Sequence, residues 1–174
     1  TEPPYTSAGH LAQQVYEADP LDDPTQNCLS PALVLHISAP FPHEIIQQEH
    51  RVTFLYESFH QIRRVWMDGR GHPEDTYPTL MGHSIGWWED DTLVVDTRNV
   101  ETGHMRPQGL PHTQNMHVIE RYTLLDDRER MQLVITLDDP EYYREPWSVT
   151  KTYSRFNEDI LDYDCVPRLH VLGE

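Results

Sequence analysis

Cysteine is scarce in this chain of 174 residues, and the two that are present, Cys28 and Cys165, lie near its two ends. Neither belongs to a Cys-x-x-Cys pair, which excludes the ligand spacing of a structural zinc site and of a thioredoxin-like redox centre. Two interpretations stay open. The pair forms a disulfide that ties the ends of the fold together, as expected in an oxidising compartment, or it consists of two buried thiols.

Basic side chains and long apolar runs are also lacking. Lysine and arginine number 13 against 29 aspartates and glutamates, which gives a formal net charge of −16. This balance argues against nucleic acid and against anionic membrane surfaces as partners. No apolar run is long enough to span a bilayer. We therefore expect a small-molecule substrate or ligand as the partner and no membrane span. A homo-oligomer is compatible with this composition.

The chain does not begin with methionine, because its first residue is Thr1. A signal peptide that has been removed is one explanation of such a start. Together with the cysteine pair, it predicts a periplasmic or secreted protein.

Helix signals are few, and strand signals dominate. The stretch SAGHLAQQVYEA predicts one short helix, whereas LVLHIS reads as a β-rich run. Acidic turns at 89–91 and 126–128 predict two hairpins, and a third turn is expected near 49–50. Eight or nine short strands with local turns predict an all-β fold, either an antiparallel up-and-down, lipocalin-like barrel or a strongly curved sheet. We expect a single domain over 1–174, with an N-terminal arm over 1–34 and the barrel over 35–174.

Period-two alternation groups the side chains of each predicted strand. In the stretch GHSIGWWEDDTLVVDT, His83 shares a face with Trp87. We expect this face to point into the barrel cavity, and His117 to approach the same space from the start of another strand. Trp88 is expected to pack outside or against the N-terminal segment.

Several segments resemble a large bacterial family of exported β-rich proteins. The segments are RRVWMDGRGHPEDTYPTLMGHSIGWWEDDTLVVDT, HTQNMHVIERYTLLD, LDDPEYYREPW and LDYDC. They match the family's DGRxHP, GxSxGxWEGDTLVVDT, LHVxERF and DPxxYxxPW motifs. The resemblance implies an exported β-rich domain and supplies no reaction. The matching positions are Arg64, Asp68, Gly69, Arg70, His72, Pro73, His83, Trp88, Glu89, Asp91, Thr92, His117, Glu120, Arg121, Pro146 and Trp147.

The chain departs from the family's usual wording at three places. Trp87 stands where a basic residue is common, and Asp90 stands where glycine is usual, which makes a left-handed turn less obvious. The tail DCVPRLHVL replaces a common Cys-His-Glu-Gly-Asn run. If that run contributes to a site in other members, this protein acts on something different.

Histidine is abundant, with 11 residues, and it is the side chain that titrates nearest neutrality. Several histidines lie in or beside the two longest loops, with carboxylates and arginines near enough to tune them, which indicates general acid–base catalysis. The candidate catalytic residues are His83, His117, Arg64, Asp68, Arg121 and Glu120. Aromatic and histidine side chains at strand and loop edges could line a substrate site. The candidate substrate-binding residues are Trp66, Trp87, His72, His112, Tyr143 and Trp147.

Other chemistries have weaker signals. The stretch GHSIG superficially resembles a nucleophile elbow around Ser84, but no helix follows it. Phosphate-binding loops and dinucleotide fingerprints are absent, so no cofactor is expected. The leading hypothesis is a cofactor-independent acid–base enzyme, of lyase, isomerase or cyclase type, that acts on a small aromatic or hydrophobic molecule in the barrel cavity. The alternatives are a non-catalytic lipocalin-like carrier and a metal-dependent enzyme with a His/Asp/Glu site.

Overall fold

The computed structural model describes residues 2–18, 24–104 and 110–166. The two α-helices in this part of the chain are α1 (Ser7–Ala18) and α2 (Leu33–Ser38). Short 3-10 turns occupy Pro24–Asn27 and Ser58–His60. The strands, in chain order, are β1 (His43–Gln47), β2 (Arg51–Tyr56), β3 (Ile62–Trp66), β4 (His83–Glu89), β5 (Thr92–Arg98), β6 (Gly103–His104), β7 (Pro111–His112), β8 (His117–Leu124), β9 (Arg130–Asp138) and β10 (Trp147–Ser154).

Eight of these strands form one curled sheet, a half-barrel, in the order β1-β2-β3-β4-β5-β8-β9-β10. Neighbours are antiparallel except β3 and β4, which run parallel and pair only at Val65–Ser84 and Trp66–Ile85. The remaining two strands, β6 and β7, form a separate ribbon inside the second long loop. The prediction of an all-β, strongly curved sheet with local hairpins is therefore confirmed.

Acidic residues make the turn between β4 and β5. Asp90 has a φ of 51°, in the left-handed region that glycine usually occupies. Aspartate tolerates this conformation better than most residues, because its short polar side chain can bond to the local backbone. The departure from glycine at this position therefore leaves the hairpin intact.

The segment LVLHIS is a helix, not the predicted strand. Its buried residues are Leu33, Val34, His36 and Ile37, a spacing that places them on one side of a helix. Pro31 and Pro40 bracket it and limit it to six residues. Its β-branched composition misled the prediction, because burial against the sheet overrides a weak local propensity. Lys151 Nζ and the Tyr153 hydroxyl on β10 donate to carbonyls at the end of this helix.

The concave side of the sheet is filled by packed side chains. Phe54 and Val95 are wholly buried there, and Leu33 and Ile37 of α2 join the same core. On β4, the side that faces this core is the one carrying Ser84, which is 1% exposed. The prediction that the His83 face points into the barrel is therefore wrong. His83 lies on the convex, outer face, and strand alternation cannot by itself tell inside from outside.

A disulfide joins Cys28 to Cys165 across a sequence separation of 137, as one of the two interpretations of the cysteine pair predicts. The N-terminal arm is held separately, by a bridge between Tyr5 and Tyr143 and by the amide of Thr6, which donates to the Tyr142 carbonyl. Within the described residues, no helix has both the length and the apolar character needed to cross a bilayer.

Candidate acid–base site on the outer face of the sheet

Three histidines and one aspartate meet on the outer face of the sheet, in a group that we call the histidine cluster: His72, His83, Asp96 and His117. His83 begins β4, Asp96 lies on β5, and His117 begins β8. His72 comes from the loop that follows β3. Because β4, β5 and β8 are neighbours, residues of the same parity on them lie side by side on one face.

Hydrogen bonds connect the cluster in a chain. The Nδ1 atoms of His72 and His83 are 2.9 Å apart, and Nε2 of His72 lies 3.0 Å from Oδ1 of Asp96. Nε2 of His117 reaches the same oxygen at 2.9 Å. Asp96 therefore joins two imidazoles directly and the third through His72.

The hydrogen bonds fix the tautomers when the three imidazoles are neutral. The Asp96 carboxylate can only accept, so His72 and His117 each donate from Nε2. The Nδ1 atom of His72 is then an acceptor, and His83 must donate to it from its own Nδ1. This leaves the lone pair of His83 on Nε2, which makes no hydrogen bond to another described residue. His83 therefore presents a basic nitrogen to the outside.

The electrostatics of the cluster favour a neutral His83. Partial burial, the nearby His72 and the charge of Arg70 all lower the pKa of His83 below its usual value of 6.5. Burial alone would raise the pKa of Asp96, but the hydrogen bonds and charges of His117 and His72 outweigh it and lower that pKa. At neutral pH the cluster thus holds a free base next to an ionised carboxylate.

This arrangement can accept a proton and place the resulting charge near Asp96. A proton bound at Nε2 of His83 allows its Nδ1 proton to move to Nδ1 of His72. The His72 imidazolium is then stabilised by the carboxylate of Asp96, 3.0 Å from its Nε2. When the proton between the two rings moves back to Nδ1 of His83, His83 is an imidazolium again and can return its Nε2 proton as an acid.

The structure brings together three of the histidines predicted for the site, His72, His83 and His117. The predictions missed Asp96, the residue that joins them. The sequence does mark Asp96, because it interrupts the aliphatic run in the stretch TLVVDT. By strand alternation it lies on the same face as Val94, opposite the core residue Val95.

Arg64 lies beside the cluster, whereas Asp68 does not contact it. Asp68 binds Arg70, whose Nε and Nη2 atoms approach the carboxylate at 2.8 and 2.5 Å. Arg70 also covers the ring of Trp66, with its guanidinium carbon 4.0 Å from the ring centroid. One face of Trp66 is therefore occupied by a side chain of the protein itself.

Arg121 and Glu120 lie away from the histidine cluster, on opposite faces of β8. On the outer face, Arg121 lies four residues along β8 from His117. Its Nη2 atom is 2.5 Å from Oε2 of Glu89. On the inner face, Glu120 is fully buried and receives two hydrogen bonds from Arg63, at 2.6 and 2.9 Å. Neither residue makes a hydrogen bond or an ion pair with His72, His83 or His117 in the described part of the chain.

Arg63 anchors a polar network inside the core that the sequence analysis missed. Its remaining donors reach Ser84 at 3.0 Å and Thr97 at 2.7 Å, and the Tyr122 hydroxyl donates to Glu120 at 2.5 Å. Burial raises the pKa of Tyr122 well above 10. A buried network of this kind favours one packing and one strand register.

The other predicted substrate-binding residues are dispersed. Tyr143 is 2% exposed and donates its hydroxyl to the Pro111 carbonyl, so it belongs to the core rather than to a rim. Trp147 packs against Tyr143, with ring centroids 5.4 Å apart. His112 is fully buried, and its Nδ1 lies 3.3 Å from the Thr113 carbonyl oxygen.

Trp87 and Trp88 line one open groove of about 710 Å³ at the far end of β4. Trp87 therefore does not line a barrel cavity as predicted, whereas Trp88 lies outside the core as predicted. The groove opens where β4 diverges from β3, beyond the last paired residues, Trp66 and Ile85. The indole N–H of Trp87 donates to Glu89 at 2.9 Å, which fixes the orientation of the exposed ring.

No group of three histidine, cysteine, aspartate or glutamate side chains within residues 2–18, 24–104 and 110–166 is arranged to hold a metal ion. In the histidine cluster, four of the six ring nitrogens are directed at another ring or at one shared carboxylate oxygen. The donor atoms therefore do not converge on a common point, as a tetrahedral zinc site requires.

Comparison with protein-family models, with curated proteins and with solved structures finds no match to this chain.

Proposed function

We propose that this protein is an acid–base enzyme in which His83 removes a proton from a small organic substrate. The observation that carries the proposal is the hydrogen-bonded series from Asp96 through His72 to His83, which leaves Nε2 of His83 basic and unpartnered among the described residues. Proton abstraction and return without a cofactor is the chemistry of lyases, isomerases and cyclases.

Each member of the cluster has a separate role in this proposal. His83 is the catalytic base, and its Nε2 takes the substrate proton. His72 receives the Nδ1 proton of His83, so the positive charge moves away from the substrate. Asp96 is a positioning residue that holds the tautomer of His72 and stabilises its imidazolium form. His117 donates from Nε2 to the same oxygen of Asp96 and helps to hold that carboxylate in place.

We propose an exported location for this activity, periplasmic or secreted. The Cys28–Cys165 disulfide supports it, since such bonds persist in oxidising compartments. Membership of the exported bacterial family that the motifs resemble is part of the same proposal.

A proton-abstraction assay tests the proposed function. We suggest 5-nitrobenzisoxazole, a flat aromatic carbon acid whose ring opens when a base removes one proton. The His83→Gln variant should lose at least about 100-fold in kcat/KM, which is the usual contribution of a general base. Asp96→Asn should lose less, because the base itself remains.

The matched control is His50→Gln, which changes an exposed histidine outside the cluster. It should retain the wild-type rate. Wild-type turnover no faster than that of His83→Gln would contradict the proposal.

Non-catalytic binding of a small molecule is the second candidate function, and the tryptophan groove favours it. Trp87 and Trp88 are 40% and 45% exposed, and they stand next to each other in the lining of this groove. Exposed rings of fixed orientation can stack on a flat ligand. A carrier would lose ligand affinity on Trp87→Ala and would be unaffected by His83→Gln.

A further inference from the structure

Two arginines flank His83 on the outer face of the sheet. Arg98 on β5 is the cross-strand partner of His83. On the other side, β3 runs parallel to β4 and pairs Val65 with Ser84, so the preceding residues, Arg64 and His83, lie side by side. Strand alternation places both arginines on the same face as His83.

The charges of these two arginines are incompletely neutralised. Arg64 is exposed and makes no ion pair or hydrogen bond with any residue in the described ranges. Arg98 has its Nε 3.7 Å from Oδ1 of Asp96, an oxygen that already accepts from two histidines. By contrast, Arg70 and Arg121 each approach a carboxylate oxygen at 2.5 Å.

An incompletely neutralised pair of cations is unexpected in a chain with a net charge of −16. Strands β3 and β5 are separated by β4, which puts their backbones about 10 Å apart. Side chains as long as arginine can lean from both strands over the histidine between them. Their planar guanidinium groups match the geometry of a carboxylate.

We infer that Arg64 and Arg98 form an anion-binding subsite and that the substrate carries a carboxylate, held next to Nε2 of His83. This inference rests on the proposed function. A carboxylate beside the reacting carbon gains negative charge when His83 removes the proton, and the two guanidinium groups stabilise that charge. In this subsite Arg64, a predicted site residue, would stabilise charge, and Arg98 is an additional residue.

Titration with benzoate, followed by the side-chain NMR signals of His83, tests the inference. Benzoate should bind saturably and raise the pKa of His83, because it adds a negative charge beside that ring. The charged and titratable groups around the ring are Arg64, Arg98, Arg70, His72 and Asp96. Arg64→Gln and Arg98→Gln should each weaken benzoate binding at least tenfold. Arg64→Lys should weaken it less, because the charge remains.

The matched control is Arg130→Gln, because Arg130 is 55% exposed, as Arg98 is, but pairs with Asp127. It should bind benzoate as the wild type does. Benzamide, the neutral analogue, should bind at least tenfold more weakly, and inorganic phosphate should bind more weakly than benzoate. Equal binding of benzamide, tighter binding of phosphate, or unchanged binding in both arginine variants would overturn the inference.

The variant His83→Gln separates this inference from the proposed function. It should still bind benzoate, since both arginines remain, although it has lost the base. If the proton-abstraction assay fails while benzoate binding depends on Arg64 and Arg98, the subsite stands and the catalytic role of His83 falls. If the assay succeeds without any benzoate binding by the wild type, the subsite falls and the catalytic role stands.

Discussion

The Nδ1 atoms of His72 and His83 lie 2.9 Å apart, so one of the two rings must place a proton between them. Asp96 decides which ring it is, because its carboxylate accepts a hydrogen bond from the Nε2–H of His72 and leaves Nδ1 of His72 as an acceptor. Through His72, which lies in a loop, the Asp96 carboxylate thus sets the tautomer of His83.

The activity should depend on pH through His83. Burial, His72 and Arg70 lower the pKa of His83 below 6.5, and only the neutral ring is a base. The value of kcat/KM should therefore rise with pH and reach a plateau above a midpoint that lies below 6.5. The measurement is a pH–rate profile with 5-nitrobenzisoxazole. A midpoint above 7 would show that another group is the base.

The buried pair of Arg63 and Glu120 should be essential for stability. Arg63→Met leaves the Glu120 carboxylate without its partner in the core, which should lower the free energy of unfolding by about 3–5 kcal/mol. Arg64→Met, at the exposed neighbouring position, should change it by less than about 0.5 kcal/mol. Urea unfolding of both variants measures the difference. Equal effects at the two positions would mean that Glu120 is not held as described.

Stability should also fall in acid because of His36. Burial lowers the pKa of this ring to about 4, so the folded protein binds its proton less readily than the unfolded chain, whose histidines titrate near 6.5. The unfolding free energy should therefore be greatest above pH 6.5 and should decline by about 3 kcal/mol as the pH falls to 4. In His36→Gln this part of the decline should be missing. If the unfolding free energy of His36→Gln fell with pH as steeply as that of His50→Gln, the lowered pKa of His36 would be contradicted.

The disulfide should contribute to stability by linking two distant segments. Replacing Cys28 and Cys165 by serine should lower the unfolding free energy by about 2–5 kcal/mol, since the unfolded chain gains freedom when a loop this long is opened. Thiol titration of the denatured, unreduced wild-type protein should find no free thiol. Two reactive thiols per chain would refute the bond.

The hairpins and the curved sheet could be predicted because their signals are local. Alternating strands flank short acidic turns, and the β4–β5 hairpin forms even with Asp90 in place of glycine. The short helix α2 could not be predicted in the same way, because LVLHIS has the composition of a strand. Its helical form depends on packing against a sheet that is distant in the sequence.

The faces of the strands were the main obstacle to predicting the site. Alternation correctly grouped His83 with Trp87 and Arg64 with Trp66, but it could not show which group faces the core. The adjacent arginines 63 and 64 illustrate this, since one is 1% exposed inside the fold and the other lies on the surface. The histidine cluster also needs His72 from a loop, whose path depends on the whole fold.

The tautomer of His83 tests the central claim most directly, because the proposed base exists only if its Nε2 carries the lone pair. Long-range ¹H–¹⁵N correlation spectra of the histidine side chains, recorded above the pKa values of the three rings, distinguish the two neutral forms. We predict that His83 is protonated on Nδ1, that His72 and His117 are protonated on Nε2, and that Asp96→Asn disturbs this pattern. A His83 ring protonated on Nε2 in the neutral wild-type protein would contradict the account.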